Sequence, residues 1–97
     1  MSEYKPIDEC KTVVELLAIP KRWAKNPGPR CDCVATAIGW IYPHYSQQQK
    51  AKVRFLEAVG LSTDGDGVDL STRIYDWNDA PARTHAEVLA ACRKAGI

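Results

Sequence analysis

The stretch RCDCVATAIGWIYP, residues 30–43, decides the fold. Its apolar residues Val34, Ala35, Ala37, Ile38, Trp40 and Ile41 fall on every side of a helical projection, the pattern of an element surrounded by others. Val, Ile, Trp and Tyr would also suit a buried strand. The small residues Ala35, Thr36, Ala37 and Gly39 instead favour close helix packing, so the stretch reads as a central helix over 32–42.

Around it the chain divides at its prolines and glycines. Residues 7–18 carry Cys10, Val13, Val14 and Leu17 at helical spacing, with Asp8 as N-cap and Glu9 in the first turn, and Pro20 stops the pattern. The segment PKRWAKNPGPR, 20–30, holds three prolines and a glycine and cannot continue a helix; Trp23 would pin it to the core. After PHYS, Ser46 caps a helix running to Val59 on a stripe of Ala51, Phe55, Leu56 and Val59, with Gly60 as the stop. STDGDGVDLS, 62–71, reads as an exposed turn, and TRIYDWND, 72–79, is open between a short strand and a helical turn. In RTHAEVLAACRKAGI, 83–97, Thr84 and Glu87 form a capping box and Val88, Leu89 and Cys92 the apolar stripe. Arg93 and Lys94 suit its C-terminal dipole and Gly96 ends it. The expectation is a mainly α, single-domain bundle of about four helices spanning 1–97, with a short strand or hairpin near 68–77.

Ninety-seven residues suffice for one core, since a domain of this size buries roughly 60 to 68% of its unfolded surface. With 45% hydrophobic and 26% charged residues, the chain has no compositional case for disorder. Thirteen basic residues against twelve acidic ones leave a net charge of +1, without the electrostatic footprint of a nucleic-acid binder. The N-terminal MSEYKPIDEC lacks a signal-peptide pattern, and no apolar window reaches the roughly 18 residues that span a bilayer. The reading is a soluble cytoplasmic protein without membrane attachment, its four cysteines reduced.

Several motifs carry chemistry in principle. Asp32-Cys33 ahead of a helix has the form of a cysteine hydrolase nucleophile, whose thiolate a helix N-terminus stabilises, but it needs a histidine base. Only His44 and His85 exist, and neither lies on a strand placed to present one. Cys31 and Cys33 form a C-x-C pair with only Cys10, Cys92 or His44 to complete a metal site, which is not a zinc knuckle, so no metal and no cofactor is expected. Cys10, Cys33 and Cys92 fall on apolar stripes, where a thiol acts as a small hydrophobe. Asp64, Asp66 and Asp69 are close together, yet their spacing misses the calcium-loop pattern and reads as a solvated turn. Lys21, Arg22, Lys25 and Arg30 with Trp23 make a basic loop able to touch phosphate and stack on a base, a weak pointer to nucleic acid.

At WNDAPARTHAEVL, 77–89, the chain resembles a family of small uncharacterised proteins of phages and bacteria, notably actinobacteria. In that family a tryptophan precedes a C-A-L-G-A helix, and a Trp-Asn-Asp turn precedes an Arg-Thr helix start. Trp23, CVATAIG from Cys33, Trp77-Asn78-Asp79 and Arg83-Thr84 correspond here, over roughly residues 13–95. The chain departs in Ala35-Thr36-Ala37, where the family tends to Leu-Gly-Ala, and in a short segment between Trp23 and Cys33. The resemblance implies a phage or mobile-element context and carries no activity.

Asp76, Trp77, Asn78, Asp79 and Arg83 gather polar groups beside an aromatic on a connecting segment, the composition of an interface anchor. In a structural role, Asn78 and Asp79 would close an Asx turn and Arg83 would pair with Asp76 or Asp79. The functional expectation is a non-enzymatic accessory protein that binds a host or phage macromolecule, a protein before a nucleic acid, as an inhibitor of a host system. The alternative is a small hydrolase using Cys33 with His44 or His85.

Overall fold

The computed structural model describes residues 10–19, 23 and 33–97, and these are mainly helical, with no strand. Five helices follow one another: α1 Val13–Leu17, α2 Val34–Ile41, α3 Tyr45–Ala58, α4 Gly67–Asn78 and α5 His85–Ala95. The positions read as a strand or hairpin, 68–77, are α4. Its covered face is Leu70, Ile74 and Asn78, while Thr72 and Asp76, which a strand would turn to that same side, stay exposed. The aspartates read as an exposed turn start that helix instead. Asp66 is its N-cap, accepting from the Val68 and Asp69 amides, while the Asp69 carboxylate takes the Asp66 N–H, a reciprocal capping box.

Other boundaries shift for equally local reasons. Thr12, not Asp8, caps α1, its hydroxyl accepting the Glu15 amide at 3.0 Å; Asp8, Glu9 and Pro20 lie outside the described residues. At five residues α1 is too short to persist alone, and it is held by Val13, Leu16 and Leu17, all fully buried against α2 and α5. Helix α3 starts one residue before Ser46, with His44 as an N-cap that makes no side-chain bond. Its end is as read: Gly60 is left-handed, φ 76°, and the Leu61 amide reaches back to the Leu56 carbonyl at 2.9 Å, closing a Schellman motif.

The central stretch forms a shorter α2 with a wet end. Val34, Ala35, Ala37 and Ile38 are buried as expected, but Trp40 is 60% exposed, so α2 is not enclosed on all sides. Helix α3 packs on α5, α4 and α2, burying Ala51, Phe55 and Leu56. Gly67 approaches the Tyr45 hydroxyl and Gln49 closely, and Phe55 meets Trp77, so α3 and α4 run parallel, start beside start. A Cβ on Gly67 would stand 2.9 Å from both partners, so a larger residue there would push the Tyr45 and Gln49 side chains aside.

Helix α5 matches its sequence reading closely. Thr84 accepts from the Glu87 amide, the Glu87 carboxylate takes the Thr84 N–H, Val88 and Cys92 are fully buried with Leu89 half-covered, and Gly96 is left-handed. Thr84→Ala is expected to cost about 1 kcal/mol in urea unfolding, the usual worth of an N-cap. The Thr84 backbone N–H bond, then its hydroxyl and Arg83, hold the Glu87 carboxyl below the usual glutamate range. A carboxyl lowered by folding adds stability above its ordinary value and loses it as pH falls through the lower folded one. Stability should therefore drop in acid below the ordinary carboxylate range, and Glu87→Gln should shrink that drop in pH-dependent melts.

Candidate functional site

The C-terminal turn of α4 and the start of α5 place Asp76, Trp77, Asn78, Asp79 and Arg83 together, as the spacing suggested. Their roles differ sharply. Asn78 is the one polar residue buried among the described residues, at 0% exposure. Its Oδ1 accepts from the Trp23 indole N–H at 2.7 Å and from the Val34 amide at 3.4 Å, and its Nδ2 donates to Asp79 Oδ1 at 2.9 Å. One amide side chain thus joins α4 to the first amide of α2 and to Trp23. Asn78 sits in the last turn of α4 and Asp79 is its C-cap, in place of a free-standing Asx turn.

Trp77 is half-buried between two partners. The edge of Phe55 meets it at 5.1 Å between ring centroids with planes at 85°, and the Arg83 guanidinium lies 3.7 Å from its centroid. Arg83 does not pair with Asp76 or Asp79. Its Nε donates to the Trp77 carbonyl at 2.9 Å and its Nη1 to the Glu87 carboxylate at 3.0 Å, because α5 begins by turning Glu87 toward it at i+4 spacing. This assembly stacks a cation on an indole and leaves Asp76 exposed beside it.

The candidate catalytic groups are not assembled. Cys33 is fully buried, and its sulfur lies 3.3 Å from the Thr36 hydroxyl and accepts the Thr36 amide as the N-cap of α2. His85 is turned to the core, its Nε2 2.6 Å from the Leu17 carbonyl and its ring stacked on Trp23 at 5.7 Å. An Nε2 facing a carbonyl oxygen carries the proton. His44 lies exposed ahead of α3. Among the described residues no histidine bonds to Cys33, and no group of three His, Cys, Asp or Glu side chains could hold a metal. Cys10, Cys33 and Cys92 are buried, and burial pushes the Cys92 thiol up to about 12. Of the basic loop, Trp23 packs inward on His85 and Asn78; Lys21, Arg22, Lys25 and Arg30, with Cys31 and Asp32, lie outside the described residues.

Reading the sequence missed a second feature, a groove of about 410 Å³ between α3 and α4 lined by Tyr45, Lys52, Val68, Ser71, Thr72 and Tyr75. Helical spacing of Val68, Ser71, Thr72 and Tyr75 would have revealed it, had 68–77 been read as a helix. Lys52 is held by Gln49 at 3.2 Å, and burial lowers its pKa from the ordinary lysine value.

A small helical domain pinned by a buried asparagine and a tryptophan–arginine stack is the class these features define. The chain belongs to the family of unknown function DUF6197, whose family model matches residues 15–96. No curated protein and no solved structure matches it. No helix among the described residues is long and apolar enough to cross a membrane.

Proposed function

We propose that this domain acts by binding a protein partner, without catalysing a reaction, as an accessory protein of a phage or mobile element that inhibits a host system. One observation carries the binding reading: Trp40, Tyr45, Leu61, Val68 and Tyr75 stay exposed while the thiol and one histidine that a hydrolase would use are spent on packing. Tyr45, Val68 and Tyr75 line one groove between α3 and α4, and exposed aromatic and aliphatic side chains gathered in this way are typical of surfaces that meet another macromolecule. The phage setting comes from the resemblance at residues 77–89 and fits a small domain that blocks another protein. Asp76 is exposed between Tyr75 and Trp77 in the last turns of α4.

Pull-down from host lysate with Asp76→Ala, Asp79→Ala and Arg83→Ala beside the wild type tests this reading. At least one variant should lose a retained protein at an unchanged melting temperature. Uniform unfolding of the three, or no retained protein, refutes it. The hydrolase alternative is checked on the thiol itself. Iodoacetamide at neutral pH should label native Cys33 and Cys92 far more slowly than free cysteine, because one is fully buried and the other has a raised pKa. Faster labelling of Cys33 would favour the hydrolase.

A further inference from the structure

The groove between α3 and α4 is rimmed by large exposed side chains, with Asp66 in its lining and further aspartates on the neighbouring surface of α4. Tyr45 is 67% exposed, Val68 73% and Tyr75 41%, a concentration of large uncovered side chains around one depression. Asp66 lines its mouth, and Asp69 and Asp76 lie one helical turn on either side of Thr72, both exposed. None of Asp64, Asp66, Asp69 and Asp76 has a cationic partner among the described residues. The single cation of 62–79, Arg73, is committed elsewhere, donating to the Ser62 and Asp64 carbonyls and so fastening the loop ahead of α4. Lys52, on the α3 wall, is tied to Gln49.

We propose that this groove docks a basic segment of the partner protein, with its Lys or Arg side chains over the tyrosine rings and against the aspartates and its apolar side chains on Val68. The assignment rests on the protein-binding reading above and names the chemistry of the segment. Carboxylates that have no cationic partner among the described residues, beside open tyrosines, match a cation that can sit on a ring face and be neutralised at its edge, although Asp66 and Asp69 also hold backbone amides at the start of α4. Exposed apolar surface alone would leave the sign of the partner open. The aspartates fix it, and they repel nucleic acid. Lys52 sets the direction, since the end of the segment lying over it must offer an acceptor. The volume is that of sites holding a few side chains.

Titration of the ¹⁵N-labelled full chain with an arginine–leucine repeat peptide, its glutamate–leucine counterpart and a single-stranded DNA oligonucleotide tests the proposal. The arginine peptide should shift amides of the first half of α3 and of 68–76, saturably and less at high salt. Tyr75→Ala should weaken its binding about tenfold, the scale of one cation–ring contact. Val68→Ser, at a more exposed position, should weaken it too at an unchanged melting temperature. Equal binding of the glutamate peptide or the DNA, shifts elsewhere, or unchanged affinity in both variants overturns the proposal. If the arginine peptide fails while wild type and Tyr75→Ala retain the same lysate protein, the groove assignment falls and the binding reading stands.

Discussion

Asn78→Leu is expected to destabilise the domain by about 3 kcal/mol in urea unfolding, well beyond what loss of one surface contact would cost. Leucine nearly matches the volume but offers no acceptor, so the Trp23 indole N–H and the Val34 amide both lose their partner. A buried donor left unsatisfied costs about 1 to 3 kcal/mol, and two are stranded at once. The Val34 amide is poorly served otherwise, because the cap residue of α2 is Cys33, whose sulfur is a weak acceptor already held at 3.5 Å by Thr36. The indole N–H resonance of Trp23 should move upfield as its bond is lost. A cost below about 1 kcal/mol would show that these groups find water instead.

Phe55→Ala should cost more, about 3 to 5 kcal/mol, as for other buried aromatic truncations. Phe55 is fully buried in α3 and carries the edge contact that positions Trp77, so the cavity opens directly beneath the indole. Phe55→Leu separates the two contributions. It keeps most of the buried volume and should lose only about 1 kcal/mol for the aromatic pair together with some packing. If Phe55→Ala also abolishes the stacking of Arg83 on Trp77, seen as a change in near-ultraviolet circular dichroism, the core and the candidate site are one unit. An unchanged signal would mean that Arg83 holds Trp77 without support from α3.

Helix α5 was legible in the sequence because every one of its signals is local: Thr84 and Glu87 in reach of each other's amides, Gly96 at the stop, the stripe of Val88 and Cys92 between. Helix α4 was not, because its start is written in residues that favour turns. Asp66 and Gly67 look like loop unless the capping box with Asp69 is recognised, and the close approach of Gly67 to Tyr45 depends on how α3 is placed. The exposure of Trp40 failed for a related reason, since an apolar residue announces hydrophobicity but not whether a neighbour arrives to cover it. The site was half legible. Trp77, Asn78 and Arg83 do gather, but the buried state of Asn78 follows from Trp23, fifty-five residues away, and no short-range pattern contains it.

Ile97 is almost wholly buried, and its carbonyl accepts the Val14 amide at 3.3 Å. The first described helix therefore closes on a residue eighty-three positions later, although it is the shortest of the five and the least able to hold itself together. During synthesis Val13, Leu16 and Leu17 emerge early and find their last partner only when translation has passed residue 97. At about 5 to 20 residues per second, that leaves several seconds with an apolar strip uncovered. Assembly is a whole-chain event, ruled by the slowest and most distant closure, and a ribosome stalled late would display the very surface on which aggregation begins.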